Sequence, residues 1–386
     1  MKLKRPTLLM IQREDAPARS LPQLLSGDDA PSSWRALAPH LGREVPLQLD
    51  DLSVFDCLAL GEWVDSDALS ARFGADRIHF LVGAGLLIGD HAAHAELLAR
   101  DATLVETGWW APAAVAHSFS RWQGVDVDRE QERLGKLTLG DLFQRSGAPP
   151  SEALSLRPRS EWKPLPEPRK TALDALLAQR TTCRNFDSDH QVTLPELASL
   201  LHRVFGAQAT QELAPGAIAL KKNSPSGGGL HPIEAFVLVQ RVEGLAPGLY
   251  HYHSTGHALQ VLRELDAESV APVASELVAG QHWFANAPVM VLMAARFGRN
   301  FWKYRNHAKA WRVIQLDAGH LSQNLYLTAT ELGYGAFVTG AINDECAERL
   351  FEFDGLATGA IAVCGFGRRV APAVTVEFDP LGVSVR

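Results

Sequence analysis

Apolar residues recur at helical spacing near the start of the chain, and each run is bounded by helix start or stop signals. Aspartates precede the runs at 52–60 and 66–73, and glycines follow the runs at 66–73 and 76–82. Aspartate at an N-cap accepts hydrogen bonds from free backbone N–H groups, and glycine tolerates the left-handed conformation at a helix end. The apolar stretch at 86–90 fits a short strand with a turn. Three helices and a short wing predict a winged-helix-like domain, which we place at residues 1–125.

The last part of the chain, residues 169–386, alternates between helical periodicity and continuous apolar runs, which are typical of buried strands. The pattern predicts helices over 171–179, 194–205 and 316–332, and strands over 235–239, 249–253, 258–262, 289–295 and 361–364. The helix at 316–332 is apolar on most of its circumference, so we expect it to be central. This part therefore predicts one larger domain that mixes helices and strands.

Residues 126–168 separate these two zones and contain six prolines among charged residues. Such a composition predicts an extended linker, partly polyproline-like at its end. The first half, over 129–143, retains a helical pattern.

The composition narrows the class of protein. Apolar residues make up 46% of the 386 residues, enough for a real core, and the net charge is −7. An acidic chain is a poor nucleic-acid binder, and the third predicted helix carries little positive charge besides Arg77. No run approaches the length of a membrane span, and the first apolar run is too short for a signal peptide. The four cysteines are scattered without a C-x-x-C pair. We expect a reduced, cytoplasmic protein with no metal, no membrane contact and no nucleic acid.

Two clusters suit an anionic or flat ligand. Arg180, Thr181, Thr182 and Arg184 place two guanidiniums and two hydroxyls within five residues, a donor set suited to phosphate oxygens. The alternative is a helix end at which cations are favoured by the dipole. The loop 223–232 contains three consecutive glycines before a buried strand, which lets a ligand approach the backbone closely. It lacks the Gly-Lys-Ser/Thr of a P-loop, and a flexible surface loop is the alternative.

A third cluster, over 296–312, is basic and aromatic. It holds six Lys or Arg side chains and no acidic residue. Nucleic acid, an anionic cofactor, a peptide cleft or simply a solvated helix face would each fit this composition. Lys303 and Tyr304 stand out because both can donate or accept a proton and can be tuned by their surroundings.

The helix at 316–332 carries polar residues at helical spacing. Asp317, Gln323 and Asn324 are expected to hydrogen-bond inside the domain, and His320 is expected to be a satisfied core histidine rather than a metal ligand. Two further glycine-rich stretches, 333–340 and 365–369, fit ordinary turns. The second could also supply a cation that faces phosphate.

Together these motifs resemble the FMN-dependent nitroreductase-fold enzymes. The segments that carry the resemblance are Arg180-Thr-Thr-x-Arg-x-Phe, Pro225-Ser-Gly-Gly-Gly-Leu-x-Pro-x-Glu, Trp302-Lys-Tyr, Asp317-Ala-Gly-His-x-x-Gln-Asn and Gly333-x-Gly-x-x-x-x-Gly, in the family's order. The branch that resembles this chain more closely acts on ribosomally made peptides and includes azoline dehydrogenases and cyanobactin oxidases. The zone 1–125 is similar to the peptide-clamp winged helices fused to such enzymes.

The resemblance implies an α+β fold with an antiparallel-rich central sheet flanked by helices, over residues 169–386. It also implies FMN at a homodimer interface. The expected cofactor-binding residues are Arg180, Thr181, Thr182, Arg184, Pro225, Ser226, Gly227, Gly228, Gly229, Gln323, Asn324, Thr339, Gly340 and Arg368. Lys303 and Tyr304 match a Lys-Tyr pair associated with proton abstraction. The chain departs from the family in having Thr181-Thr182 where Arg-Ser is frequent, and in a short insertion between Lys303 and Trp311.

The implied function is oxidation of a peptide azoline, or a related residue, by hydride transfer to FMN with dioxygen as final acceptor. The substrate would be a precursor peptide, and a separate cyclodehydratase or other maturation enzyme would form the ring. One alternative is an NAD(P)H-dependent flavin reductase acting on dehydroamino acids or nitroaromatics. Another, of a different class, is a non-catalytic module that binds a leader peptide or DNA. Fold alone does not fix the reaction direction.

Overall fold

The computed structural model describes residues 1–14, 33–134, 139–370, 375 and 377–384. Its strands are β1 (Lys2–Lys4), β2 (Met10–Glu14), β3 (Ser33–Ala38), β4 (Arg43–Leu47), β5 (Val64–Asp65), β6 (Ile88–Gly89), β7 (Ala207–Ala214), β8 (Ala217–Lys222), β9 (Ile233–Val239), β10 (Gly248–His253), β11 (Ala258–Glu264), β12 (Val289–Arg296), β13 (Gly335–Thr339) and β14 (Thr358–Gly367).

The helices are α1 (Leu52–Cys57), α2 (Ser66–Phe73), α3 (Ala75–Gly83), α4 (Ala95–Thr107), α5 (Ala111–Ser120), α6 (Val127–Leu134), α7 (Leu139–Ser146), α8 (Ala172–Gln179), α9 (Leu194–Phe205), α10 (Ala267–Leu277), α11 (His282–Ala285), α12 (Phe297–Phe301), α13 (Ala310–Glu331) and α14 (Asp344–Phe351).

The N-terminal zone contains the helices that the apolar pattern predicts. Asp65 accepts hydrogen bonds from the backbone N–H groups of Asp67 and Ala68 at the start of α2, and Gly74 ends that helix with a positive φ. Strand β1 pairs with β5 on one side and β6 on the other, while β2, β3 and β4 form a second antiparallel sheet. The predicted helices and wing strand are therefore present as α1, α2, α3 and β6. The assignment as a winged-helix-like domain stays a prediction.

A six-stranded antiparallel sheet forms the centre of the C-terminal part, in the order β11-β10-β9-β12-β14-β13. Alternate residues of β12 point to opposite faces, as strand geometry requires. Val291 packs into a core shared with α9 and α13, and Leu292 packs into a second core shared with α10 and α14. Both faces of the central strands are thus covered by helices, so the α+β prediction is confirmed.

The Pro-rich zone contains α6 and α7, which account for the helical pattern seen in its first half. Between Gly147 and Thr171, the described backbone forms a single 3-10 turn at Arg159–Glu161 and no other helix or strand. The assignment of residues 126–168 as a linker stays a prediction.

Several elements differ from the pattern-based expectation. Helix α13 begins at Ala310, ahead of the predicted start, and it is amphipathic rather than buried all round, since Leu316 is 56% exposed. In the hairpin β7–β8, β7 is almost wholly exposed and β8 is only partly buried, so neither strand shows the alternation of burial that a sequence pattern would reflect. Strand β13 lies in the glycine-rich stretch expected to form turns.

Candidate active site

The segment after α8 runs along the outer edge of β13 and extends the central sheet. The backbone N–H of Cys183 donates to Ala336 O at 2.8 Å, and Thr182 bridges Ala336. Because side chains alternate along an extended segment, Arg180, Thr182 and Arg184 are half-buried and share one side. This side carries two guanidiniums and a hydroxyl, the donors expected for a phosphate.

Tyr326 on α13 supports this side of the segment. Its hydroxyl lies 3.1 Å from Thr182 Oγ1 and accepts a hydrogen bond from the backbone N–H of Val338 at 3.2 Å. The Arg180 guanidinium lies 5.3 Å from the centre of the Tyr326 ring, which is cation–π geometry. One buried tyrosine therefore fixes the relative positions of the cation-bearing segment and the end of β13.

The opposite side of the segment is buried and faces the C-terminal residues. Arg369 donates from Nη2 to Thr181 Oγ1 at 2.7 Å and forms a buried ion pair with Glu377. Glu377 also accepts from the side-chain amide of Asn185 at 2.9 Å. Thr181, one of the expected cofactor ligands, therefore has its hydroxyl held by a protein cation on the side away from Thr182.

The two arginines that follow β14 have different partners. Arg368, the expected phosphate-facing cation, pairs with Asp187 at 2.6 Å and is 53% exposed. Arg369 is the cation that reaches the Arg180–Arg184 segment. The sequence signal for Arg369 was present in the motif Gly365–Arg369, but adjacent arginines on an extended backbone point to opposite sides, and the pattern could not tell which one turns inward.

The glycine loop is anchored to α13 by Asp317. Its carboxylate accepts from Ser226 Oγ at 2.5 Å and from the backbone N–H of Gly227 at 3.2 Å. Burial raises the pKa of Asp317, and these two hydrogen bonds oppose the rise. Gly228 and Gly229 have φ values of 68° and 70°, in the left-handed region that favours glycine. The expectation that Asp317 is hydrogen-bonded inside the domain is confirmed.

Lys303 and Tyr304 lie directly against this loop. A β-carbon placed on Gly228 would lie 2.6 Å from Tyr304 Oη and 3.2 Å from Lys303 Nζ. Arg299 Nε donates to Leu230 O at 2.5 Å and ties the same segment to the end of the loop. The structure therefore brings the Lys-Tyr pair and the glycine loop together, although they are separated by about seventy residues in sequence.

The segment that carries Lys303 packs against aromatic residues of the N-terminal zone. The indole of Trp109 packs against Phe301 and Trp311, and its Nε1 donates to Leu356 O at 2.8 Å. His117 stacks on Trp109, its Nε2 lies 2.7 Å from Gly355 O, and burial lowers its pKa to about 4. Trp109, between α4 and α5, and His117 of α5 thus form an aromatic cluster against the segment that carries Lys303.

Three polar residues of α13 differ in their exposure and in their contacts with the glycine loop. Asn324 donates from Nδ2 to Ser224 Oγ at 2.7 Å and so contacts the loop, whereas Gln323 is exposed. His320 is also exposed, with Nδ1 3.2 Å from Pro225 O. The expectation of a core histidine is wrong, because His320 projects from the outer face of an amphipathic helix.

Thr339 and Gly340 lie at the end of β13. Thr339 is buried, and its hydroxyl donates to Gln281 Oε1 at 3.3 Å and accepts from the N–H of Ala341 at 3.1 Å. Gly340 is exposed. The hydroxyl of Thr339 is thus used inside the protein, and only the exposed backbone at Gly340 faces outward.

Within the described residues, no group of three or more His, Cys, Asp or Glu side chains could hold a metal ion. Nor is any described helix long and apolar enough to cross a membrane.

The site combines phosphate-type donors, a glycine loop and two groups that can carry a proton. Phosphate-type donors and a glycine loop both contact α13, through Tyr326 in the first case and Asp317 in the second. At 1.5 Å of rise per residue, these two contacts are about 14 Å apart along the helix axis. Lys303 Nζ and Tyr304 Oη stand over the loop as groups that can carry a proton.

Comparison with known proteins gives one consistent family. Residues 177–368 match the Nitroreductase family. A nitroreductase of Methanocaldococcus jannaschii is 31% identical over 183 residues, which are 47% of this chain and 84% of that protein.

Two relatives are named for peptide processing. The trifolitoxin-processing protein of Rhizobium leguminosarum bv. trifolii is 26% identical over 45% of this chain and 46% of its own length. The microcin B17-processing protein of Escherichia coli is 24% identical over 47% of this chain and 65% of its own length.

Among solved structures, the E. coli microcin synthetase McbBCD complex with truncated pro-MccB17 bound contains a chain with the same fold. It aligns with a TM-score of 0.51 and 20% identity over 69% of this chain and 97% of that chain. The aligned share exceeds residues 177–368, so the structural likeness extends beyond the part matched by the family.

Proposed function

This chain belongs to the nitroreductase family, and on that premise we propose that it is an FMN-dependent oxidoreductase of peptide maturation. Its substrate would be a precursor peptide, in which it oxidises an azoline or a related residue, with dioxygen as final electron acceptor. The two relatives named for trifolitoxin and microcin B17 processing support the peptide as substrate. The observation that carries the proposal is the contact of Lys303 and Tyr304 with the glycine loop at Gly228.

The residues present fit FMN. The half-buried side of the segment after α8 offers Arg180, Thr182 and Arg184 to a phosphate and a ribityl chain. A flat ring needs a surface without side chains, and Gly229 provides one in the loop, because a β-carbon there would meet no atom within 4 Å. Thr181 and Thr339 use their hydroxyls within the protein, so we assign them a supporting role behind the ligand-facing groups.

The remaining expected ligands are assigned by their position. Pro225, Ser226 and Gly227 shape the loop, and Asn324 holds its start through Ser224. Gln323, Gly340 and Arg368 are exposed, and we propose that they contact cofactor at a subunit boundary. A homodimer would cover the apolar side chains of Leu173 and Leu316, each 56% exposed on α8 and α13.

The chain's own groups account for the proton in this reaction. When bound, FMN supplies a hydride acceptor, so conversion of an azoline to an azole leaves a proton for the protein to remove. Tyr304 Oη and Lys303 Nζ are the atoms that meet the loop from the solvent side, and either can take that proton. The anchor from Asp317 to Ser226 and Gly227 holds the loop at a fixed distance from both atoms.

The remaining parts of the proposal concern partners. We propose that the zone 1–125 acts as a peptide clamp, and that a separate cyclodehydratase or other maturation enzyme forms the ring before oxidation. Reduction of dehydroamino acids or nitroaromatics by NAD(P)H uses the same fold and is the competing activity. A non-catalytic peptide or DNA module is the competing class.

The test uses the FMN-loaded chain and a synthetic thiazoline dipeptide. Wild-type protein should remove two hydrogens from the dipeptide, seen by mass, and Lys303→Ala should retain flavin but lose turnover by about a hundredfold. Lys221→Ala is the matched control, because Lys221 is an exposed lysine on β8 outside the contact with Gly228. Unchanged turnover in Lys303→Ala would contradict the assignment, and reduction by NADPH in place of oxidation would favour the competing activity.

A further inference from the structure

The segment 296–312 is a concentration of positive charge in an acidic protein. It contains six Lys or Arg residues and no acidic residue, whereas the whole chain has a net charge of −7. Most of these cations are exposed, and Trp302 among them is 75% exposed. A local excess of one sign against the overall charge attracts ligands of the opposite sign.

Little of this charge is neutralised by the protein itself. Within the part of the chain that the structure describes, Arg296 has a carboxylate within 4.0 Å, that of Glu234 at 3.2 Å, and the other five cations have none. Arg305 donates to backbone carbonyls of Val105 and Glu106, and Lys303 lies 5.6 Å from the centre of the Tyr304 ring. These contacts orient the cations without cancelling their charge.

The cations at both ends of this segment lie beside the glycine loop. Arg299 contacts Leu230, and Lys303 contacts Gly228. A β-carbon on Gly227 would overlap Val313 in the first turn of α13, which places Arg312 and the helix start beside the loop as well. We name the set the basic rim, and it consists of Arg299, Lys303, Arg305, Lys309 and Arg312.

We propose that the basic rim binds an acidic segment of the precursor peptide that flanks the residue to be oxidised. The inference rests on the proposed function, since it takes the peptide as substrate and the loop as the place of reaction. Carboxylates of the peptide would find cations that have no acidic partner in the described protein, and the exposed ring of Trp302 offers apolar contact between them. The rim thereby holds one stretch of peptide next to Lys303 and Tyr304.

The choice of a peptide over other anions follows from the shape of the charge. The five cations extend along the segment from α12 through the connection that follows it to the first turn of α13, and four of them are exposed to solvent. A phosphate group calls for a concave donor set, such as that of Arg180, Thr182 and Arg184, whereas a peptide with repeated carboxylates can meet separated cations one by one.

The experiment measures binding of two fluorescein-labelled probes to the full-length, FMN-loaded protein by anisotropy. One probe is a Gly-Glu repeat of about twelve residues, and the other is the matching Gly-Gln repeat. Wild-type protein should bind the Glu probe at least about tenfold more tightly than the Gln probe at low salt, with the difference shrinking at physiological ionic strength. Equal binding of the two probes would overturn the proposal.

Two double variants with the same change in net charge locate the effect. K309E/R312E should weaken binding of the Glu probe about tenfold or more, because it removes two exposed cations of the rim. K163E/R263E is the control: both residues are exposed, and Arg263 pairs with Leu249, toward the end of β9 that lies away from the glycine loop. The control should bind within about twofold of wild type. Equal losses in both doubles would show a global charge effect and overturn the proposal.

Competition separates the peptide from other anions. NADPH and a short DNA oligonucleotide are titrated against the bound Glu probe. If either displaces it at lower concentration than unlabelled Glu peptide and also loses affinity in K309E/R312E, the rim belongs to that ligand and the proposal fails. Flavin content is recorded for each variant. A rim effect in a chain that binds no FMN would contradict the proposed function and leave peptide binding standing, whereas an FMN-loaded chain with no rim effect would do the reverse.

Discussion

Replacing Gly228 by alanine tests the contact between the glycine loop and the Lys-Tyr pair. Gly228 has a φ of 68°, and a β-carbon there would lie 2.6 Å from Tyr304 Oη. Gly229 is its matched control, because its φ is 70° and a β-carbon there would meet no atom within 4 Å. Both substitutions carry the same backbone cost, and only the first disturbs Tyr304.

The expected magnitudes follow from these two terms. A non-glycine residue in the left-handed region costs about 1–2 kcal/mol, so both variants should lose that much unfolding free energy. In Gly228→Ala, Tyr304 Oη must also retreat by roughly 0.7 Å to reach van der Waals distance from the new methyl group. A displacement on the order of 1 Å in a reacting group can cost about a hundredfold in rate. We therefore expect turnover of Gly228→Ala to fall about 10- to 100-fold below that of Gly229→Ala.

The assay compares the two variants with wild type in urea unfolding, flavin content and oxidation of the thiazoline dipeptide. The prediction is equal loss of stability and unequal loss of turnover. Equal turnover in the two variants would refute the reasoning, because it would mean that the position of Tyr304 against Gly228 does not matter to the reaction. A much larger loss of flavin in Gly228→Ala alone would move the effect from proton transfer to cofactor binding.

Three further predictions concern other parts of the molecule. Thr182→Val should weaken FMN binding about tenfold and cost about 1 kcal/mol through the lost hydrogen bond to Tyr326, whereas Thr181→Val should cost a similar amount through the lost bond to Arg369 with FMN affinity kept; fluorescence titration and urea unfolding check both. Arg121→Met should cost about 3–5 kcal/mol in urea unfolding, because it leaves the buried carboxylate of Glu348 unpaired; a loss below about 1 kcal/mol would contradict a buried pair. Burial lowers the pKa of His117 to about 4, so the unfolded chain binds a proton that the folded chain refuses between about pH 6.5 and pH 4. Stability should therefore be complete above that window and fall by about 3 kcal/mol as pH decreases through it, and His117→Gln should remove this slope.

Much of the fold could be predicted because its helices and strands have the hydrophobic patterns typical of those elements. The hairpin β10–β11 and the buried strands β9, β12 and β14 read as continuous apolar runs, and the caps of α2 and α9 are side-chain signals in the sequence. The hairpin β7–β8 was not predicted because β7 is exposed at seven of its eight residues and the buried residue of β8 is a lysine, so burial leaves no apolar pattern in its sequence. Strand β13 was not predicted because the glycines in and around it are typical of turns. Its first residue, Gly335, packs closely on the side chain of Cys183.

The site could be predicted to the level of motifs and no further. The sequence named Lys303 and the glycine loop, but their contact depends on the aromatic support beneath the segment, which comes from the distant zone around Trp109. It placed His320 in the core because the helix over 316–332 has apolar residues on most of its circumference, whereas the side of α13 that faces solvent is set by packing. It named Arg368 and could not show that Arg369 reaches Thr181, since the side to which each of two neighbouring side chains points is fixed by strand register.

The most direct test of the account is the visible absorption spectrum of freshly purified protein, with the released cofactor identified by mass. We expect a flavin spectrum with stoichiometric FMN. We also expect loss of that FMN when Arg180, Thr182 and Arg184 are replaced together by alanine. A colourless protein that also fails to take up added FMN would contradict it, because the donor set and the glycine loop would then serve some other ligand.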